Sequence, residues 1–151
     1  MDILLETNLN FTGEDNKTHR YVPFSLAKEY DSLHMFFEYS PKTVEDETFA
    51  KQIIEETTRK YLQKEQISAN DWRTFLPVNN LLTLSLCRNG KYIGCAHRQP
   101  PKQHIIISAE ISSCGFIPHS VTSGAWEAII SLHAISTPVV CNLRILGEGE
   151  H

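Results

Sequence analysis

The feature that most constrains this chain is a two-residue alternation of apolar and polar side chains, repeated in short segments along most of its length. Residues 33–40, for example, place Leu33, Met35, Phe37 and Tyr39 on one side. Because successive side chains of a β-strand point to opposite faces, this period is typical of strands that bury one face only. The predicted strands cover residues 1–11, 19–26, 33–40, 80–87, 91–97, 104–109, 125–133 and 138–146.

About eight short strands separated by turns predict a mainly β fold, an antiparallel and jelly-roll-like β-sandwich. In such a fold the apolar sides of the strands face a shared core. Trp126 shares its side with Ala128, Ile130 and Leu132, so we expect its ring in that core. Pro23 has no N–H to donate to a neighbouring strand, so the strand at 19–26 is expected at a sheet edge.

One segment departs from the two-residue period and predicts an inserted α-helix near residues 43–64. Thr43-x-x-Asp46 resembles a capping box, and acidic residues fill the first turn, where the helix dipole favours them. The apolar stripe of this helix consists of Phe49, Ile53, Ile54 and Tyr61. The sequence therefore predicts a single β-sandwich domain over residues 1–146, with the helical insertion at 43–64, and a short tail at 147–151.

The four cysteines include no CxxC pair and predict free thiols. Asn89-Gly90 is a strong two-residue hairpin signal, and the simplest register around it places Cys95 opposite Leu84. In that register Cys87 and Cys95 lie on opposite faces and cannot form a disulfide. We interpret three of the thiols as small buried side chains: Cys95, Cys114 and Cys141.

Charge and hydropathy exclude several classes of protein. The net charge is −4, the pI is about 5.9, and basic residues are scattered, which argues against a nucleic-acid partner. No apolar stretch reaches the length of a membrane span, about 18 residues. The N-terminus lacks the basic region of a signal peptide, so the expected location is the cytoplasm. No P-loop or GxGxxG pattern is present, and no cofactor is expected.

The sequence assigns no catalytic residue, but it offers weak candidates for a metal site. His97 and His104 bracket a loop that could bring them together, with a carboxylate to complete the site. The alternative is that His97 is a polar residue at a strand end, bonded to backbone. Glu14-Asp15-Asn16 fits either a calcium loop or a plain polar turn, and Cys114 either a nucleophile or a packed thiol.

The last third of the chain, together with a segment upstream of it, carries a family resemblance. Asn80 is followed by Leu81-Leu82-Thr83-Leu84-Ser85-Leu86, and further on come Gly115-Phe116-Ile117-Pro118 and Ser123-Gly124-Ala125-Trp126. In this order, these elements resemble the N-terminal all-β domain of bacterial metallohydrolases that carry a polymerase-and-histidinol-phosphatase (PHP) catalytic domain. The likeness covers roughly residues 8 to 146. It implies a β-sandwich with a helical insertion and a supporting role beside a catalytic domain.

The chain also departs from that family. His119 stands where a glycine is expected, and Gln99-Pro100-Pro101 replaces a more glycine-rich loop. The PHP active site resembles a cluster of metal ligands introduced by His-x-His, and no His-x-His occurs in this sequence. The resemblance therefore implies no enzymatic activity for these residues, and any phosphoesterase activity would lie in another domain.

Three functions remain open from sequence. The first is a non-catalytic auxiliary or interaction domain, with a metallohydrolase domain or a second copy (a dimer) as its partner and an exposed apolar patch as its sign. The second is a stand-alone module that binds a sugar or small ligand on a concave sheet face or in a loop cleft. The third is a small histidine-based metal site at His97 and His104.

Overall fold

The computed structural model describes residues 1–44, 46–61, 76, 78–96 and 100–150. These residues form eight β-strands, one α-helix and a 3-10 turn at Gly13–Asp15. The mainly β prediction is confirmed. The elements are β1 (Asp2–Phe11), β2 (Thr18–Leu26), β3 (Tyr30–Ser40), α1 (Glu47–Tyr61), β4 (Leu81–Arg88), β5 (Lys91–Cys95), β6 (Lys102–Ser108), β7 (Gly124–Ala134) and β8 (Val139–Glu150).

The strands form two four-stranded antiparallel sheets. Sheet I has the order β1-β8-β3-β6, and sheet II has the order β2-β7-β4-β5. Only β4 and β5 are neighbours both in sequence and in a sheet, since every other pairing joins strands that are distant along the chain. As Pro23 predicts, β2 lies at the edge of its sheet.

The inward sides of both sheets supply one hydrophobic core. Sheet I contributes Met35, Phe37 and Ile145, and sheet II contributes Leu84 and Ile130, all at most 1% exposed. Burying each such side chain contributes about 1.5–3 kcal/mol relative to exposure. This core forces the two-residue period, because each strand can bury only every second side chain.

Trp126 lies in this core, as its position in the sequence predicts. Its side chain is 2% exposed, and its indole Nε1 donates a hydrogen bond to the Thr122 carbonyl at 3.0 Å. Phe24 stacks beside the ring, with centroids 6.4 Å apart, and the Arg88 guanidinium lies 5.3 Å from the ring centroid. The polar end of the indole is therefore satisfied while its rings stay buried.

The helix starts later than the capping-box pattern predicts. Thr43 does not cap it, because the Thr43 hydroxyl donates to the Asn79 side chain at 2.9 Å and the segment is still extended there. Asp46 takes that place, accepting a hydrogen bond from the Phe49 backbone N–H at 3.1 Å. Ala50 and Ile54 face inward, whereas Phe49 is 39% exposed. No helix in the described parts of the chain is long and apolar enough to cross a membrane.

The Asn89-Gly90 hairpin forms as predicted, but the strand beyond it shifts. Both turn residues have positive φ, 50° and 81°, as a two-residue hairpin turn of this type requires. A register shift between Leu86 and Cys87 then inserts one extra residue in β5, so Cys95 pairs with Ser85 instead of Leu84. Because an extra residue inverts the alternation, the prediction that Cys87 and Cys95 lie on opposite faces was wrong.

The cysteines and the last strand give two more corrections. All four cysteines are free. Cys95 and Cys141 are buried as predicted, but Cys114 is exposed, because it lies in the loop between β6 and β7 and not on a core-facing strand position.

Strand β8 does not stop at residue 146. It continues to Glu150, since its last residues still pair with β3, so most of the predicted tail at 147–151 belongs to the sheet.

Replacing Trp126 by alanine should be among the most destabilising single changes in this protein. We expect Trp126→Ala to lower the free energy of unfolding by about 3–5 kcal/mol, because a large buried ring leaves a cavity. Tyr21→Ala is the control, since Tyr21 is 58% exposed, and should cost less than about 1 kcal/mol. Urea unfolding followed by far-ultraviolet circular dichroism measures both. Equal losses would place Trp126 outside the core.

The cysteines should differ in their reactivity in the folded protein. Burial, with a smaller contribution from the Glu38 charge, raises the pKa of Cys141 to about 12, so its thiolate is scarce. We expect iodoacetamide at about pH 8 to label the exposed Cys114 first and Cys141 only after unfolding. Peptide mass spectrometry at successive times measures the order. Early labelling of Cys141 would contradict its placement in the core.

Candidate functional site

The outward side chains of sheet I form a polar face that the core does not use. We call it the outer face. Phe36 on β3 lies at its centre, with Arg144 of β8 as its register partner on one side and His104 of β6 on the other. The next row places Glu38 of β3 between Asn142 and Lys102. Since directly opposite residues of neighbouring strands share a face, both rows point outward together.

The side chains of the second row contact one another. The Lys102 ammonium lies 3.6 Å from the Glu38 carboxylate. The Asn142 amide donates to the Asn8 side chain on β1 at 2.5 Å, which extends this row across all four strands. The outer face therefore presents a carboxylate, an ammonium and amide groups close together.

These rows enclose a groove. Two depressions of about 410 and 520 Å³ share Glu38, Lys102 and Asn142 in their walls, so they adjoin. We call them together the outer groove. The first is also lined by Phe36, His104 and Arg144, and the second by Asn8, Tyr39, Ser40, Lys42, Pro101 and Val140. The outer groove thus combines an aromatic surface with charged and amide groups.

Beside the outer groove lie three side chains that we call the histidine cluster: Glu148, His34 and His104. The Glu148 carboxylate is 2.6 Å from His34 Nε2, and His34 Nδ1 is 2.8 Å from His104 Nε2. The Ser32 hydroxyl also donates to Glu148, at 3.3 Å. The His34 side chain is 9% exposed, whereas Glu148 is 51% exposed. One end of the cluster therefore meets solvent, and its middle is covered.

The hydrogen-bond geometry limits the tautomers in this cluster. An ionised carboxylate only accepts hydrogen bonds, so His34 carries a proton on Nε2, and in its neutral form its Nδ1 is the acceptor. His104 then donates from Nε2. The ring centroids are 5.0 Å apart, and the two nitrogens are 2.8 Å apart. The difference is about twice the distance from a ring centre to its own nitrogen, so both nitrogens lie on the line that joins the ring centres. This alignment is that of a straight N–H···N hydrogen bond.

The same geometry fits a proton better than a metal ion between the two rings. A metal on that line would need two bonds of about 2.0 Å, and hence nitrogens about 4 Å apart. The observed 2.8 Å is too short. Among the residues that the structure describes, no group of three or more His, Cys, Asp or Glu side chains is arranged to hold a metal ion.

His104 contacts two other rings. It stacks on Phe36, with centroids 4.2 Å apart and planes inclined by 15°, and its Nε2 edge meets His34. Burial, followed by the charge of His34, lowers the pKa of His104 below its usual value of 6.5. His104 therefore resists protonation in the free protein.

The sequence-based site candidates have mixed outcomes. His104 lies on the outer face, but His97 falls outside the described residues, so their pairing stays a prediction. The side chains of the acidic turn, Glu14-Asp15-Asn16, make hydrogen bonds within the fold. The Asp15 carboxylate accepts from the Thr12 backbone N–H, and the Asn16 amide oxygen accepts from the Ile135 backbone N–H, both at 2.9 Å. These oxygens are engaged by the fold, which favours the plain polar turn over a calcium loop.

Two members of the site, His34 and Glu148, were missed by the sequence analysis. The alternation of β3 already places His34 on its polar side, and this was the available signal. Nothing in the sequence joins it to Glu148, which is 114 positions away and beyond the predicted end of the last strand.

The motifs behind the PHP resemblance have structural roles. The buried Asn80 side chain donates to the Pro41 carbonyl at 2.9 Å and accepts from the Ser136 N–H at 2.7 Å. Gly94 packs so closely against the segment at 115–116 that a Cβ would lie 2.3 Å from the Gly115 carbonyl oxygen. The Ser123 carbonyl accepts a hydrogen bond from the Arg88 guanidinium at 2.7 Å.

Comparison with known proteins assigns no family. No protein-family model matches this chain, and a search of curated proteins finds no match. The resemblance to the PHP-associated domain therefore stays a prediction that depends on the quoted motifs. Support for a function comes instead from the geometry of the outer face.

The lowered pKa of His104 predicts how stability depends on pH. In the unfolded chain His104 binds its proton near pH 6.5, whereas the folded protein binds it only at lower pH, so acid favours unfolding. We expect His104→Gln to lose less unfolding free energy than wild type between about pH 7.5 and pH 5. Asn142→Ala, on the same face and without a titrating group, should keep the wild-type pH dependence. Urea unfolding at both pH values measures this difference. If His104→Gln and wild type lose the same unfolding free energy between the two pH values, the prediction is contradicted.

Proposed function

We propose that this chain is a non-catalytic binding module, a β-sandwich of jelly-roll topology whose outer groove holds a small polar ligand such as a sugar. The observation that carries the proposal is the outer groove itself, with an aromatic surface beside charged and amide groups. Binding sites for small ligands are typically concave, with a few polar groups placed to orient the ligand. No bond-making or bond-breaking step is assigned to any residue.

The strand order supports the jelly-roll assignment. Eight strands in the two sheet orders β1-β8-β3-β6 and β2-β7-β4-β5 match the arrangement of two Greek keys in a double-sheet jelly roll. Lectin domains are among the proteins with that architecture, which favours a sugar ligand by analogy of fold only.

The chemistry of the groove supports a hydroxylated ligand. The Asn8 and Asn142 amides and the Glu38 carboxylate offer both donors and acceptors, as sugar hydroxyls require. Phe36 is 36% exposed and stacks on His104, so the pair adds aromatic surface that the apolar part of a sugar can contact.

The exposed apolar residues support a docking surface less well. Ile3 lies on β1, Tyr21 on β2, Phe49 on α1, Tyr92 on β5, and Ile111 and Ile117 in the loop before β7, while Phe36 and Val140 lie on the outer face. These positions belong to different elements and both sheets, whereas a docking face needs a contiguous patch. An auxiliary role beside a metallohydrolase domain, expected from the resemblance, remains compatible with ligand binding and stays a prediction.

Binding to an oligosaccharide array, followed by calorimetry on the best ligand, tests the proposal. We expect Phe36→Ala and Asn142→Ala each to weaken binding about tenfold or more, which is about 1.4 kcal/mol. Tyr21→Ala and Tyr92→Ala are matched controls, since both tyrosines are exposed on sheet II, and should bind as wild type. Loss of binding in the tyrosine variants alone would move the site to sheet II. No binding to any saccharide would overturn the proposal.

A further inference from the structure

We propose that the outer groove selects a ligand that carries a carboxylate, that Arg144 and His104 hold this carboxylate from the two sides of Phe36, and that the histidine cluster takes up one proton when it binds. This inference rests on the proposed function and names its ligand class, an acidic sugar such as a uronic acid.

The charges in the groove are not balanced. Lys102 and Glu38 pair with each other, at 3.6 Å, and so offset one another. The Arg144 side chain is exposed, and its guanidinium makes no hydrogen bond or ion pair within the described parts of the chain, although Glu6 of β1 lies opposite it in the register. One guanidinium therefore remains to bind a ligand. A guanidinium matches a carboxylate particularly well, because it can donate two parallel hydrogen bonds.

The strand register brings Arg144 and His104 to one place. Both are register partners of Phe36, on its two neighbouring strands, and all three line the same depression. Neighbouring strands lie about 4.8 Å apart, so the Arg144 and His104 backbones are separated by about 10 Å across β3. In the proposed complex the carboxylate lies over this row, between the Arg144 and His104 side chains.

The histidine cluster has room for one additional proton. With Glu148 accepting from His34 Nε2 and His34 Nδ1 accepting from His104 Nε2, two ring nitrogens carry no proton: His34 Nδ1, which accepts that hydrogen bond, and His104 Nδ1. His104 Nδ1 is the one that does not lie between the two rings. A proton added there makes His104 cationic and leaves both hydrogen bonds intact. A second proton, on His34 Nδ1, would point two N–H groups at each other across 2.8 Å. The cluster therefore has room for one additional proton between its two rings.

The surrounding charges decide when this step occurs. The titratable or charged groups that face the cluster and the groove are Glu148 and Arg144 on β8, His34, Glu38 and Tyr39 on β3, Lys42 after β3, Lys102 on β6, Glu6 on β1 and Cys114 in the loop after β6. In the empty groove, burial and His34 lower the pKa of His104. A bound carboxylate opposes both effects, because an opposite charge nearby favours the protonated ring.

These charges give the pH dependence of binding a definite sign. If the pKa of His104 is higher in the complex than in the free protein, binding is accompanied by proton uptake, and affinity rises as the pH falls. For one proton the dissociation constant changes by at most about tenfold per pH unit between the two pKa values. Affinity for a neutral sugar should not follow this dependence.

Calorimetry with matched pairs of uronic-acid and neutral oligosaccharides tests the ligand class: galacturonate against galactose, and glucuronate against glucose. We expect the acidic member of one pair to bind at least about tenfold more tightly. Titrations in buffers of different ionisation enthalpy should show proton uptake by the acidic member only, of at most one proton per bound ligand. Arg144→Gln should remove the preference for the acidic member, and His104→Gln should remove the proton uptake.

The outcomes separate this inference from the proposed function. Equal binding of both members of a pair, lost in Phe36→Ala, would keep the sugar-binding function and overturn the selection for a carboxylate. Tight binding of the acidic member without proton uptake would overturn the role of the histidine cluster. Failure of every oligosaccharide to bind would overturn the proposed function and this inference together.

Nuclear magnetic resonance of the free protein tests the cluster without any ligand. Long-range proton–nitrogen spectra should show His34 with its proton on Nε2 and a free Nδ1. Glu148→Gln, which can donate as well as accept, should release that tautomer and so shift the His34 ring nitrogens, while Glu38→Gln should leave them in place. A proton on His34 Nδ1 in the wild type at neutral pH would overturn the assignment.

Discussion

The pairing of β8 between β1 and β3 is the contact on which the rest of this structure depends. It joins the end of the described chain to its beginning, and it completes sheet I with twelve residues of strand. Its inward side chains close the core against sheet II. Its outward side chains place Arg144 beside Phe36 and Glu148 beside His34. Stability and the candidate site therefore depend on the same register, and a shift of one residue would exchange the two faces.

The outer face shows how a short distance selects between two chemistries. Two histidines and a glutamate are the side chains of many metal sites, yet here their nitrogens face each other at 2.8 Å and in line. That separation suits a shared proton and is too short for a metal ion between them. The cluster is thus a proton-binding group next to the groove, and it couples the charge of the groove to pH.

The sequence-based predictions failed where an inserted residue or a distant contact overrides the local pattern. The number of strands and their order along the chain, the Asn89-Gly90 turn and the burial of Trp126 all follow from the two-residue period and from turn chemistry, and the structure agrees with each. The end of β8 is the exception, because the strand continues to Glu150. The position of Cys95 did not follow, because the extra residue in β5 moved it to the other face. Thr43 likewise matched a capping pattern but was engaged by Asn79, a residue outside the helix. Competing contacts of this kind are not visible in a local pattern.

The sequence by itself determined which segments are strands and, apart from the shifted β5, which side of each faces the core, because burial of one face imposes a period that is visible in the chain. The tertiary structure alone decided which strands are neighbours, since almost every pairing joins segments far apart in sequence. His34 and Glu148 were therefore ordinary polar residues until β3 and β8 met. The candidate site lies on the outer face, where no burial constrains residue type, and so its geometry comes from strand pairing and not from any motif.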